Sequence, residues 1–187
     1  METNKLGNVL LVTGHTYEQH SVANKLIIKG IKERIPSLKE DNLAQLYPDY
    51  RIDVKAEQEK LLWADTIIIQ VPLFWFAIPS IVMRWIEEVF VHGWAYGSNG
   101  KALQGKNILV GITAGSPTNA YEEGSKGVGI NDINKHLNTI FSFCGMNYKG
   151  LIFNGGFLNT GDGTAETTFP PMAEKHVSDI MNKLEQG

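Results

Sequence analysis

Apolar residues follow two rhythms along this chain. Asn8 to Thr13 (NVLLVT), Asp65 to Val71 (DTIIIQV) and Asn107 to Thr113 (NILVGIT) are short apolar runs rich in branched side chains. Such runs suit strands covered on both faces. Asn42 to Leu46 reads as a second strand and Tyr148 to Phe153 as the last. Between them the spacing turns helical. Ser21 to Ile35 carries Val22, Ala23, Leu26, Ile27 and Ile31 on one side, and Ala56 to Ala64 reads as a second helix. From Ile78 the apolar positions are Ile78, Ile81, Val82, Trp85, Ile86, Val89 and Phe90, with Arg84, Glu87 and Glu88 off that face and Pro79 near the first turn. This is an amphipathic helix. Further helices are read at about Asn131 to Phe143 and through Ala173, Val177, Ile180, Met181 and Leu184. Five strands alternating with helices predict an α/β domain: a parallel sheet, right-handed crossovers and helices on both faces.

Ligands of open α/β sheets bind at the carboxyl ends of the strands, and three of those ends carry distinctive turns. GHTYEQHSVANK (Gly14 to Lys25) joins a strand to a helix N-terminus, where unpaired N–H groups and the helix dipole favour a phosphate. Ser21 and Asn24 either add hydrogen bonds to that phosphate, or Ser21 simply caps the helix. PLFWFA (Pro72 to Ala77) places Phe74, Trp75 and Phe76 consecutively, as core packing or as the cover of a flat ligand. TAGSPTNAYEEG (Thr113 to Gly124) is rich in small residues, so its backbone can approach a planar group closely.

Other chemistry is poorly supported. Gly100-Lys101 and Gly105-Lys106 are followed by Ala102 and Asn107, so no nucleoside-triphosphate loop is present, and GVGIND (Gly127 to Asp132) lacks the third glycine of a dinucleotide fingerprint. His92 has no carboxylate or cysteine at ligand spacing, which leaves no metal set. His20, His136 and His176 read as surface residues. A net charge of -3 offers no basic footprint for nucleic acid. The single cysteine, Cys144, cannot form an internal disulfide and reads as a small buried hydrophobe, and METNKLGNVLL lacks a signal-peptide layout. A cytoplasmic protein of one domain, 1–187, is expected, with any contact at the inner face of the cell membrane made through a partner.

PLFWFAIPS, then RWIEEVFVHGWAYG and GKALQGK, with LYPDYRIDVKAEQ upstream, occur in an order that resembles the flavin-dependent NAD(P)H:quinone reductases of flavodoxin-like fold. Within them the chain is most similar to the short branch that includes the ancillary subunits of glutathione-gated potassium efflux systems. The resemblance runs from the first strand to about Gly155. It implies a doubly wound five-stranded sheet of order 2-1-3-4-5. It also implies FMN, with FAD as the alternative, and two-electron ping-pong transfer from NADH or NADPH to a quinone.

Carried over residue by residue, the resemblance puts His15, Ser21, Ala23 and Asn24 around the flavin phosphate. It puts Pro72, Leu73, Phe74, Trp75 and Phe76 at the ring, and Thr113, Ala114, Gly115 and Ser116 at the ring edge, with Ala114 and Ser116 replacing the commoner Thr and Gly. Gln58 either approaches the phosphate side or belongs to a polar helix face. Tyr121 matches the catalytic tyrosine, whose hydroxyl stabilises charge on flavin or quinol. The histidine that follows it in the family is replaced by Lys126, read as a surface residue.

A homodimer is implied, with Trp85, Trp94, Tyr96 and Phe143 as interface aromatics. Two other roles remain open: a regulatory flavoprotein subunit of a potassium efflux transporter, and a one-electron flavodoxin carrier. The carrier is disfavoured because such proteins are usually more acidic and lack an aromatic cover over the substrate.

Overall fold

The structure, a computed structural model, describes residues 6–122 and 129–186. Strands β1 (Val9–Thr13), β2 (Lys39–Asn42), β3 (Thr66–Pro72), β4 (Asn107–Thr113) and β5 (Asn147–Asn154) form one sheet, all pairs parallel, in the order β2-β1-β3-β4-β5. Helices α1 (Ala23–Arg34) and α6 (Ala165–Glu185) cover one face. The other carries α2 (Leu43–Leu46), α3 (Val54–Trp63), α4 (Ser80–Val89) and α5 (Ile130–Phe143).

The strand alternation sorts residues between these two cores. Leu10, Val12, Ile67, Ile69 and Val71 point to the larger core, with Ile81, Val82, Trp85, Leu137 and Phe141 packed there. Val9, Leu11 and Ile68 point to the smaller one, against Ile27, Ile31, Val177 and Ile180. The strict spacing of α4 thus buries Ile81, Val82, Trp85, Ile86 and Val89.

The second strand differs from its expected place. Asn42 to Leu46 is not a strand: β2 ends at Asn42, whose side chain accepts from the Gln45 N–H and so caps α2. β2 reads KEDN because it is an edge strand, held by backbone pairing to β1 rather than by apolar burial. Its one fully buried residue is the acid Asp41. Asp41 and Glu57 share the Lys60 ammonium, with Lys60 Nζ 2.5 Å from Glu57 Oε1, while Glu57 also accepts from Tyr47 Oη at 2.5 Å and Trp85 Nε1 at 2.8 Å.

Trp85 is accordingly a core residue, 0% exposed, and not the interface aromatic expected. Trp94 and Tyr96 are half-buried, and Phe143 is exposed. Among the described residues no helix is long and apolar enough to cross a membrane.

Candidate flavin-binding cleft

All three turns meet at the carboxyl edge of the sheet because parallel strands bring every βα connection to the same rim. Leu73 N–H donates to the Thr113 carbonyl at 2.7 Å, tying the aromatic turn to the end of β4. Ala114 N–H donates to Asn154 O and Phe157 N–H to Ala114 O, each at 3.0 Å, which anchors the loop after β4 to the one after β5.

A cleft of about 190 Å³ lies between these loops. Of the residues expected at the site, His15, Ser21, Ala23, Asn24, Pro72, Leu73, Phe74, Thr113, Ala114 and Gly115 line it. Val22, Phe157, Asn159 and Phe169 also line it and were not foreseen, as does His20, which is exposed but faces the cleft instead of only solvent. Trp75, Phe76, Ser116 and Tyr121 are outside that lining. Tyr121 is buried behind the rim, its ring 6.3 Å from Phe76 and 5.0 Å from Phe153.

Gln58 is not brought to the cleft. Its Nε2 donates to the Val89 carbonyl at 3.1 Å, tying α3 to the end of α4, so the polar-face alternative describes its position. Lys126 lies outside the described residues. His176, expected on the surface of the last helix, is fully buried.

The floor of the cleft is built to receive an anion. Helix α1 opens at Val22, which supplies no side-chain cap, so Ser21 does not cap the helix as the simpler reading proposed. The first-turn N–H groups and the dipole therefore face the cleft with no competing side chain. His15 Nδ1 accepts from the Tyr17 N–H at 3.0 Å, which fixes the proton of the neutral ring on Nε2. Burial holds this imidazole below its ordinary value, outweighing the nearby Glu18, so at pH 7 it is a neutral donor.

At the rim, Phe74 and Ala77 exchange both backbone hydrogen bonds at 3.0 Å, closing a two-residue turn with Trp75 at φ 50° and Phe76 at φ 61°. That geometry belongs to a type I′ turn, where Asn-Gly is the natural choice. Two aromatics in left-handed backbone store on the order of 1 kcal/mol each, and strain of this kind gathers at ligand clamps. Trp75 is nevertheless 95% exposed, so its burial offsets none of that cost. Replacing Trp75 and Phe76 together by Asn and Gly is expected to stabilise the apoprotein by about 1–2 kcal/mol. Thermal melts of the two proteins read this gain.

A family model described as flavodoxin-like fold matches residues 7–176. The general stress protein 14 of Treponema denticola, solved in complex with FMN, is 24% identical over 96% of this chain and 98% of its own, with a TM-score of 0.80. A thermophilic tryptophan halogenase from S. violaceusniger is 30% identical over 90% of this chain and 97% of its own, TM-score 0.77. An NADPH-quinone reductase from P. pentosaceus is 20% identical over 91% and 97%, TM-score 0.73.

Proposed function

The chain belongs to the flavodoxin-like fold family, and from that premise we propose that it is an FMN-dependent oxidoreductase that passes two electrons from NADH or NADPH to quinones. Fold alone does not fix chemistry, and the differing names of the similar structures illustrate it. The single observation that carries the reading is the uncapped α1 N-terminus placed across a cleft from a strained, exposed aromatic turn. One end suits a phosphate and the other a flat ring.

The residues present fit FMN. The cleft is smaller than the several hundred Å³ filled by drug-sized ligands. It therefore suits the phosphate and its polyol chain, and the Pro72 to Phe76 turn would hold the ring. Bound FMN would supply the hydride chemistry. The protein would supply the rest: α1 and His15 would hold the anion, Thr113 to Ser116 would lie at the ring edge, and Trp75 and Phe76 would cover the substrate position. Tyr121, its ring 6.3 Å from that of Phe76, is the tyrosine this reading assigns to charge on the flavin or quinol.

We further propose a homodimer. Phe143 is 69% exposed and its ring lies 5.0 Å from that of Tyr96, an aromatic pair without cover on the outer side. Sedimentation at micromolar concentration tests it, and a monomer refutes it.

The activity test is direct. Recombinant protein is expected to retain a yellow chromophore identified as FMN after acid release, and to reduce menadione with ping-pong kinetics. Passage straight to the two-electron reduced state on photoreduction separates this role from a one-electron carrier. Tyr121→Phe is expected to lower kcat by roughly 100-fold or more while FMN stays bound. An unchanged kcat would remove Tyr121 from the mechanism.

A further inference from the structure

Beneath the cleft runs a line of buried polar side chains that starts at the cleft residues Thr113 and Asn24 and continues through Gln70, His176 and Asn154, which the proposed chemistry does not use. Asn24 Nδ2 lies 2.9 Å from Thr113 Oγ1, and Gln70 Nε2 lies 2.9 Å from Asn24 Oδ1. His176 then places Nε2 3.0 Å from Gln70 Oε1 and Nδ1 2.6 Å from Asn154 Oδ1. The line passes from β4 through α1 and β3 to α6 and β5, and it ends in the cleft at Thr113. Asn24, Gln70, Thr113 and His176 are each 4% exposed or less, so water does not compete for these bonds.

Gly111 shows that the strand makes room for the line. A Cβ there would sit 2.1 Å from Gln70 Oε1 and 3.0 Å from His176 Nε2. Glycine weakens the middle of a strand, so its presence marks a close approach.

The ring of His176 is neutral at pH 7, because burial drives its pKa down to about 4. A neutral imidazole has one donor and one acceptor nitrogen, and an amide turned over exchanges its donor and acceptor ends. Two arrangements of the whole line follow. With the proton on Nε2, His176 donates to Gln70, Gln70 to Asn24 and Asn24 to Thr113, whose own hydroxyl proton then points to the cleft, while the Asn154 amide is turned so that its nitrogen donates to Nδ1. With the proton on Nδ1, His176 donates to Asn154, both remaining amides turn over, and the Thr113 proton goes to Asn24. Thr113 then offers lone pairs to the cleft.

We propose that His176 is a positioning residue of the cleft: acting through Gln70 and Asn24, its tautomer sets whether Thr113 meets the bound ligand as a donor or as an acceptor. This rests on the flavin reading. A ligand selects a tautomer because its contact with Thr113 differs between the two states. Oxidised and reduced forms of a flavin differ in the protons they carry, so a hydroxyl that reverses its polarity serves both.

The test uses holoprotein labelled with ¹⁵N in histidine, together with His176→Leu and His176→Gln. Adding FMN to the wild type is expected to change the protonated nitrogen of His176, or to drive a mixture to one form. His176→Leu is expected to weaken FMN binding on the order of tenfold, the consequence of a lost buried hydrogen-bond chain, and to move the midpoint potential of the bound flavin. His176→Gln, which restores a polar end next to Gln70, should recover most of that affinity. If the leucine variant does not fold, the tautomer measurement and the glutamine variant carry the test.

Wild-type protein that takes up no FMN overturns the flavin reading itself. Wild-type protein that takes it up with the His176 tautomer unchanged, while the variants bind FMN equally well at the same potential, overturns the relay alone.

Discussion

Glu57→Ala is expected to destabilise the fold by about 3–5 kcal/mol, the range for removing one partner of a buried ion pair. For a domain of this size that lowers the melting midpoint by roughly 10 °C or more. The carboxylate is fully buried and serves three donors: Tyr47 Oη, Trp85 Nε1 and Lys60 Nζ. Alanine leaves the indole and phenol without an acceptor and an ammonium facing a cavity. Chemical denaturation followed by Trp fluorescence reads the loss, and a change below about 1 kcal/mol would show that the cluster contributes little.

The same cluster gives a sign to the pH dependence. Burial first, then the Glu57 carboxyl beside it, pushes Asp41 up to about 7 against the opposing pull of Lys60. A carboxyl with a raised folded value binds its proton more tightly in the native state. Its contribution is therefore complete below its ordinary value and is lost as pH rises towards 7. Glu57 behaves in the opposite sense. Burial would raise it, but the adjacent Asp41 carboxyl and the hydrogen bonds from Lys60, Tyr47 and Trp85 hold it below its ordinary value, so its contribution is lost on acidification. The cluster is thus most stabilising near pH 5 and less so at pH 8. Asp41→Asn, neutral throughout, is expected to gain on the wild type between those values. Parallel urea titrations at both measure that gain, and a wild-type advantage that grows with pH contradicts it.

How much of this could be read from the sequence depended on where each signal was carried. Strands β1, β3 and β4 were legible because both of their faces are apolar, and α4 because its seam repeats over three turns. β2 was not, since KEDN holds its place through backbone bonds to β1 and through Asp41, which is buried only because Lys60 and Glu57 lie across from it.

The cleft was read from its turns, and ten of the expected residues do meet there. Phe157 and Asn159 were missed although their loop follows β5 at the same rim, so extending the rule about carboxyl ends to the last strand would have found them, whereas Phe169 reaches the cleft from α6. His176 left a weaker trace. It sits three residues after Ala173 and four before Ile180, on the buried stripe, but its partners Gln70 and Asn154 are 106 and 22 positions away. No local pattern reveals such a pairing.

Gly155→Ala is expected to disable the cleft while leaving its lining residues untouched. A Cβ at Gly155 would lie 2.3 Å from the Ser116 carbonyl oxygen and 2.5 Å from the Thr118 nitrogen, both backbone atoms. Rotamer changes cannot relieve that overlap. The Ser116 to Thr118 segment has to retreat by about 1 Å to reach an ordinary contact. It is also the segment clamped to β5 by Gly155 N–H to Thr118 Oγ1 at 2.9 Å and Gly156 N–H to Ser116 O at 2.8 Å. Overpacking of this kind costs about 1–3 kcal/mol, which the fold survives.

Function should suffer more, because a displacement near 1 Å of groups that position a reacting partner lowers turnover about 100-fold. Thr118→Val separates the two causes: it removes the hydroxyl acceptor without pushing the backbone, and should cost only about 1 kcal/mol of stability with turnover nearly intact. Gly155→Ala protein that binds FMN and reduces menadione like the wild type would show that the loop after β4 has no part in placing the ring.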